Sequence, residues 1–219
     1  SGDVGVTVSV TGCAVSPVTT PAPDTTLTNG PGAWLLATST TFAFSSAPAG
    51  ATFVCTLDAG TPVPCASPYP VSGLSPTTHV MTIAATRSGQ FDPTPVRVVF
   101  TVPKDANAWT TKGHGWKRSG THAVFGSAWA TRAKGEALIA TVTDATQLAL
   151  VVGRSPHAGR VKVFLGGRLV GVVSLKGAKG DSAIVPLAPF PAARSGKLRI
   201  VTANARLVRI AGLGIATAS

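Results

Sequence analysis

The densest group of side chains able to contact a ligand is aromatic and basic: Trp109, Lys112, His114, Trp116, Lys117, Arg118, His122 and Trp129. Indole faces stack on sugar rings, and ammonium and guanidinium groups hold anionic or hydroxyl oxygens. The same mixture suits single-stranded nucleic acid. The competing reading makes Trp116 and Trp129 caps over a sandwich core and puts Trp109 at a domain junction. Trp34, in Gly32-Ala33-Trp34-Leu35-Leu36, is either an exposed contact residue or a cover over a sandwich end.

Catalytic chemistry has little to start from. It needs placed carboxylates, an activated nucleophile or a metal. The chain holds only eight Asp and Glu, widely spaced. His157 follows Ser155 and Pro156, but loop neighbours seldom form a dyad, and there is no Gly-x-Ser-x-Gly elbow. Gly177-Ala178-Lys179-Gly180-Asp181 lacks the P-loop pattern and reads as a polar hairpin loop. No Cys/His spacing points to zinc. The expectation is a protein that is not an enzyme, with no cofactor, no metal and no catalytic residue.

Cys55 and Cys65 flank a turn at Asp58-Ala59-Gly60, in a hairpin of two short strands. With a three-residue loop at 59–61 the two cysteines face each other within disulfide reach, which points to an oxidising compartment. Cys13 is then left over, to pair with another chain, with sequence beyond this chain, or to stay free.

These residues must be positioned by a β-rich chain. Its 219 residues are 44% hydrophobic and only 12% charged, with 24 Gly and 17 Pro. Such a chain buries a core and is rich in turns. No apolar run reaches transmembrane length. The first 23 residues lack the pattern of a signal peptide, and with Met81 the only methionine, Ser1 is not read as a translation start. The charge is lopsided. Residues 1–103 carry a net −2, whereas residues 104–219 hold 17 Lys and Arg against four acids, a net +13. That supports a boundary near residues 103–105. The basic half either faces an anionic partner or uses Lys and Arg for solubility and edge protection.

Residues 4–11 alternate apolar and polar, and residues 17–23 form a Pro-rich linker. Short strands are expected at 40–44, 52–57, 63–66, 79–86 and 97–102, at sandwich spacing. Beyond the boundary they are expected at 123–125, 136–142, 147–152, 160–165, 168–175, 182–187, 196–202 and 206–215. Gly166-Gly167 is a strong two-residue hairpin signal.

Residues 24–103 resemble a bacterial immunoglobulin-like repeat of secreted proteins. The resemblance rests on Asp24-Thr25-Thr26, Gly30-Pro31, Phe42-Ala43-Phe44, Phe53-x-Cys55-x-Leu57-Asp58, Cys65-Ala66-Ser67-Pro68-Tyr69, Thr78-His79 and Asp92-Pro93-Thr94-Pro95. It implies a spacer or stalk unit without catalysis. Residues 108–219 resemble a C-terminal galactose-binding-like, jelly-roll module of secreted actinobacterial proteins. This rests on Trp116, Gly126-Ser127-Ala128-Trp129, Thr131 to Gly135, Gly159 to Val163, Gly166 to Val170, Val172 to Leu175 and Gly196 to Ile200. The closing strand lacks that family's acid, so no metal contact is implied there.

The expectation is therefore an all-β chain: an N-terminal strand and linker (1–23), an immunoglobulin-like sandwich (24–103) and a basic jelly-roll sandwich (104–219). Its expected role is extracellular or cell-surface binding and adhesion to cell-wall or extracellular polysaccharide through Trp109, Lys112, His114, Trp116, Lys117, Arg118 and Trp129. The alternatives are a structural assembly subunit (virion decoration, tail or surface filament) that self-associates, or the accessory end of a larger secreted hydrolase. Nucleic acid ranks last as a partner.

Overall fold

The computed structural model describes residues 21–120 and 124–218. The expected strand at 4–11, most of the Pro-rich linker, Cys13 and His122 lie outside the described residues. Every named element is a strand, so the chain is all-β. No helix of the described residues is long and apolar enough to cross a membrane.

The first lobe is a two-sheet sandwich. One sheet pairs β1 (Asp24–Asn29), β2 (Ser39–Ala47) and β5 (Tyr69–Ser72). The other holds β3 (Thr52–Leu57), β4 (Val63–Cys65), β6 (Thr78–Arg87), β7 (Gln90–Phe91) and β8 (Val96–Thr101). Period-two patterning puts Phe42, Phe44, Cys55, Met81, Ile83 and Phe100 into the core between them. Cys55 and Cys65 are disulfide-bonded, with Cα atoms 5.8 Å apart. The expected facing register is corrected: Cys55 pairs with Val63 and Cys65 with Phe53, so the bridge runs diagonally. The turn spans residues 58–62 rather than three, because Asp58 takes a left-handed φ of 55° and its carboxylate accepts from Val80 N at 2.9 Å.

The second lobe contains β9 (Lys104–Asp105), β10 (Thr110–Lys112), β11 (Lys117–Gly120), β12 (Ser127–Thr131), β13 (Ala137–Arg154), β14 (Arg160–Leu165), β15 (Arg168–Ser174), β16 (Gly180–Pro186), β17 (Arg194–Thr202) and β18 (Val208–Thr217). Its organiser is β13, 18 residues long. Residues 137–142 pair with β10 and β17, whereas residues 145–154 pair with β18 and β16. The strand changes partners at Asp144, where φ is 48° and the register shifts. Sheet I thus runs β10–β13–β17–β14–β15, and sheet II runs β16–β13–β18–β12–β11 with β9 on β18. The separate strands expected at 136–142 and 147–152 are one strand. The strand expected at 123–125 is a turn at residues 124 and 125, with residue 123 outside the described residues. The Gly166-Gly167 hairpin forms as expected: Leu165 pairs with Arg168, and both glycines have positive φ, 56° and 83°, as a type I′ turn requires.

Between these sheets lies a core separate from that of the first lobe, including Leu138, Leu148, Leu150, Val161, Val163, Leu198, Ile200 and Ile210. The lobes meet on the outer face of sheet II. Residues 33–35 run beside β8, with Leu35 N donating to Thr101 O at 2.9 Å, and Trp34 packs onto Gly214 of β18. Leu36 and Phe125 join Ala128, Val151 and Ala211 in a small cluster on that face. Thr217 N donates to Thr78 Oγ1 at 3.0 Å, joining β18 to β6. Trp34 is therefore a cover at the junction of the lobes.

Candidate ligand-binding surface

The aromatic and basic residues of residues 109–129 do not converge. Trp109 and Trp116 are buried members of the second core, 8% and 7% exposed, so neither offers a ring face to solvent. Burial of so large a side chain stabilises the fold, and the physical reason for their inward placement is that β10 and β11 are short edge strands closing that sandwich. Trp129 is half-buried against the same core and donates from Nε1 to Ala106 O at 2.8 Å. Its ring carries the Arg118 guanidinium 5.2 Å from the centroid. Arg118 also donates to Asn107 Oδ1 and Ser127 Oγ. Arg118 and Trp129 are thus engaged with each other and with the β9–β10 turn. Lys117 is exposed on β11, His114 is exposed in the bend before it, and Lys112 is exposed on β10 at the far side of the sandwich. The three indoles expected to stack on sugars are packing groups, and the remaining cations fall on two different sheets.

What the linear sequence did not bring together is the outward face of sheet I. In β14, Val161, Val163 and Leu165 point into the core, leaving Arg160, Lys162 and Phe164 outward. In β17, Leu198 and Ile200 point inward, leaving Lys197, Arg199 and Val201 outward. Register aligns these positions into rows. One row reads Leu169–Phe164–Arg199–Ile139–Thr110. The next reads Val172–Lys162–Val201–Ala137–Lys112. The signal was present as the alternation Arg160-Val-Lys-Val and Lys197-Leu-Arg-Ile, but only the adjacency of β14 and β17 makes it a surface.

The electrostatics are one-sided. In the first lobe His79 Nδ1 lies 2.9 Å from Asp58 Oδ2. His79 is buried, and its Nε2 lies 2.9 Å from Ser75 O. A second buried polar centre holds Asp92, which accepts from Thr25 N at 2.9 Å, from Thr25 Oγ1 and from Thr94 N at 2.8 Å. Burial raises the carboxyl's pKa, but the hydrogen bonds from Thr25 and Thr94 and the contact with Ala85 outweigh it and hold it below its ordinary value. Both centres brace the first sandwich. Open clefts lie at the junction, two of them larger than the rest. One of about 330 Å³ is lined by Leu36, Leu74, Val102, Pro103 and Phe125. The other, about 630 Å³, is lined mainly by Asp58, Thr77, Thr78, Thr82, Arg97 and Thr217.

No protein-family model and no curated protein matches the sequence. Among solved structures, the chain is similar to the CBM36-1 domain of a multidomain xylanase from the hindgut metagenome of Trinervitermes trinervoides. That match has 14% identity and a TM-score of 0.41, and covers 54% of this chain and 98% of that domain. It is also similar to CsCBM6-3 from Clostridium stercorarium in complex with cellobiose, at 13% identity and a TM-score of 0.42, over 53% of this chain and 93% of that one. A third is the CBM51-2 and INT domains of Clostridium perfringens ZmpB, at 11% identity and a TM-score of 0.38, over 67% of this chain and 38% of that one. Each of these neighbours is, or includes, a carbohydrate-binding module.

Proposed function

We propose that this protein is a non-enzymatic extracellular binding module. An immunoglobulin-like spacer, residues 24–103, carries a basic jelly-roll domain, residues 104–219, that contacts cell-wall or extracellular polysaccharide. The observation that carries this reading is the asymmetry between two sandwiches with separate cores. The second holds 17 Lys and Arg against four acids. Among the described residues none of these cations forms an ion pair. An uncompensated field of one sign draws polymers of the other. The Cys55–Cys65 disulfide supports an oxidising compartment.

The test is a pull-down of the full chain on purified cell walls and insoluble polysaccharides at about 50 mM and about 500 mM salt, a range over which exposed charge pairing is strongly screened. Retention at low salt on at least one matrix is expected. Absence of retention on every matrix in both buffers overturns the reading.

A further inference from the structure

We propose that the outward face of sheet I binds an acidic polysaccharide, with Lys112, Arg160, Lys162, Lys197 and Arg199 as its anion contacts; this rests on the polysaccharide-binding reading above. The opposite sheet is excluded as the main surface, because its outer face is covered by Trp34, Leu36 and Phe125. Sheet I is the large face left open.

Four features give this face its ligand class. First, its outward positions carry five exposed cations, and no acid stands at any register position of the two rows. Of the four acids of this lobe, Asp105 and Asp181 lie on strands of sheet II, whereas Glu136 packs against Gly113 and Gly115, beside Lys112, and Asp144 at the β13 bulge accepts from Ser195 Oγ at the end of β17. Second, the cations do not serve edge protection. Four of the five are on β14 and β17, which have a strand on each side. Third, no two of them are register partners. Arg199 lies between Phe164 and Ile139, Lys162 between Val172 and Val201, Lys197 opposite Thr141, and Arg160 opposite Ser174. Direct like-charge opposition is destabilising, and this checkerboard avoids it while keeping cations two residues apart along a strand, about 6.8 Å. Fourth, aliphatic side chains stand among the cations, and two of them are well exposed. Val172 is 54% and Leu169 53% exposed. Such side chains meet the C–H faces of pyranose rings, whereas cations meet carboxylate or sulfate groups.

Single-stranded nucleic acid fits less well. It uses exposed aromatic platforms, and the one aromatic ring on this face, Phe164, is half-buried. Beside the β14–β15 hairpin, a recess of about 270 Å³ lined by Leu165, Gly166, Arg168, Arg194 and Ser195 adds two guanidinium groups past Lys197, whose carbonyl accepts from Gly166 N, with the Asp144 carboxylate bonded to Ser195 at its margin.

The experiment is affinity electrophoresis of the full chain in gels containing polygalacturonate, with dextran as the uncharged polymer and an oligodeoxythymidylate as the nucleic-acid probe, at about 50 mM and about 500 mM salt. Lys162→Gln/Arg199→Gln tests the face. Arg132→Gln/Lys134→Gln, exposed in the β12–β13 turn, removes the same charge elsewhere. Thermal midpoints establish that both variants fold. Expected is retardation of the wild type by polygalacturonate at low salt, a loss of at least about tenfold in affinity for the face variant, and less than about twofold for the turn variant. Equal losses in both variants overturn the face, leaving net charge as the cause. Wild-type binding to either polysaccharide that the face variant retains in full also overturns it, while the module reading stands. Tighter binding to the oligonucleotide than to polygalacturonate overturns the ligand class. Binding to neither polysaccharide fails this inference, and the cell-wall pull-down above decides the module reading separately.

Discussion

Trp34 packs directly against Gly214: a Cβ built on Gly214 would fall 2.4 Å from Trp34 Cζ3 and 2.6 Å from Cε3. An indole ring cannot flex away as a long aliphatic chain does. The fit therefore depends on a residue without a side chain in the middle of β18, where glycine is otherwise unfavourable. Gly212, two residues earlier, meets Phe125 in the same way, at 2.4 Å. Gly214 is thus kept bare so that Trp34 of the first lobe can seat on β18, and Gly212 so that Phe125 and the Lys104 carbonyl of the second lobe can.

Gly214→Ala is expected to destabilise the junction by about 1–3 kcal/mol through overpacking. Trp34→Ala removes the clash, so the double variant is expected to cost no more than Trp34→Ala alone, a non-additivity that marks one shared contact. Denaturant unfolding of the three variants checks this. Additive costs would show that Trp34 and Gly214 act separately.

Asp92 makes the first sandwich sensitive to acid. Its folded pKa lies below the ordinary value of 3.8. The unfolded chain therefore takes up the proton first as pH falls. The stabilisation is fully present above the ordinary value and is lost as pH drops through the folded one. Thr25→Val removes the hydroxyl that donates to Asp92 and accepts from Ala85 N at 3.1 Å. It is expected to cost about 1–3 kcal/mol at neutral pH and less below the ordinary carboxyl value. Unfolding curves at pH 7 and in acid measure both. A cost that does not change with pH would mean that the hydroxyl acts only through Ala85.

The sequence made some of this legible and hid the rest for identifiable reasons. β3 and β14 were readable to the residue, because their short apolar-rich runs are bounded by turn residues. β13 was not read as one strand, since Thr143-Asp144-Ala145-Thr146 breaks the alternation and a bulge looks like a turn. β11 and β12 lack a β-branched run, so nothing marked them. The indoles were visible as residues able to stack, but which way each faces depends on contacts far away in sequence. Ala106, for example, accepts from Trp129 Nε1. The basic face was hidden most completely. Each strand contributes one or two cations to it, unremarkable alone, and the cluster exists only because β17 returns between β13 and β14.

The disulfide closes a loop with a sequence separation of 10. Loop closure of that size constrains the unfolded chain by about 2–3 kcal/mol in the chain-entropy view. Cys55 is also buried in the first core, whereas Cys65 packs at its margin. Cys55→Ala/Cys65→Ala is therefore expected to lose that amount plus a packing contribution from position 55, and reduction of the wild type to lose the chain-entropy part alone. Comparing unfolding midpoints of oxidised, reduced and double-alanine protein separates the two. Equal midpoints for the reduced and alanine forms would remove the packing contribution.

Asp144 is where β13 leaves one sheet for the other, and it does so at φ 48°, a conformation that disfavours β-branched residues. The turn is held by two bonds to one serine: Asp144 N donates to Ser195 Oγ at 2.8 Å, and Ser195 Oγ donates to Asp144 Oδ1 at 3.1 Å. Two opposing effects then decide the outcome of substitution. Asp144→Gly relieves the left-handed strain but loses the exposed carboxylate contact, and the net change is expected within about 1 kcal/mol. Asp144→Val loses the same contact and adds strain of about 1–2 kcal/mol. The valine variant is thus expected to be the less stable of the pair. Because residues 137–142 and 145–154 serve different sheets, that loss is expected to loosen both. Hydrogen exchange should report it as faster exchange at Leu138 and at Leu150 together. Faster exchange on only one side of position 144 would show that the two halves of β13 fold as separate strands.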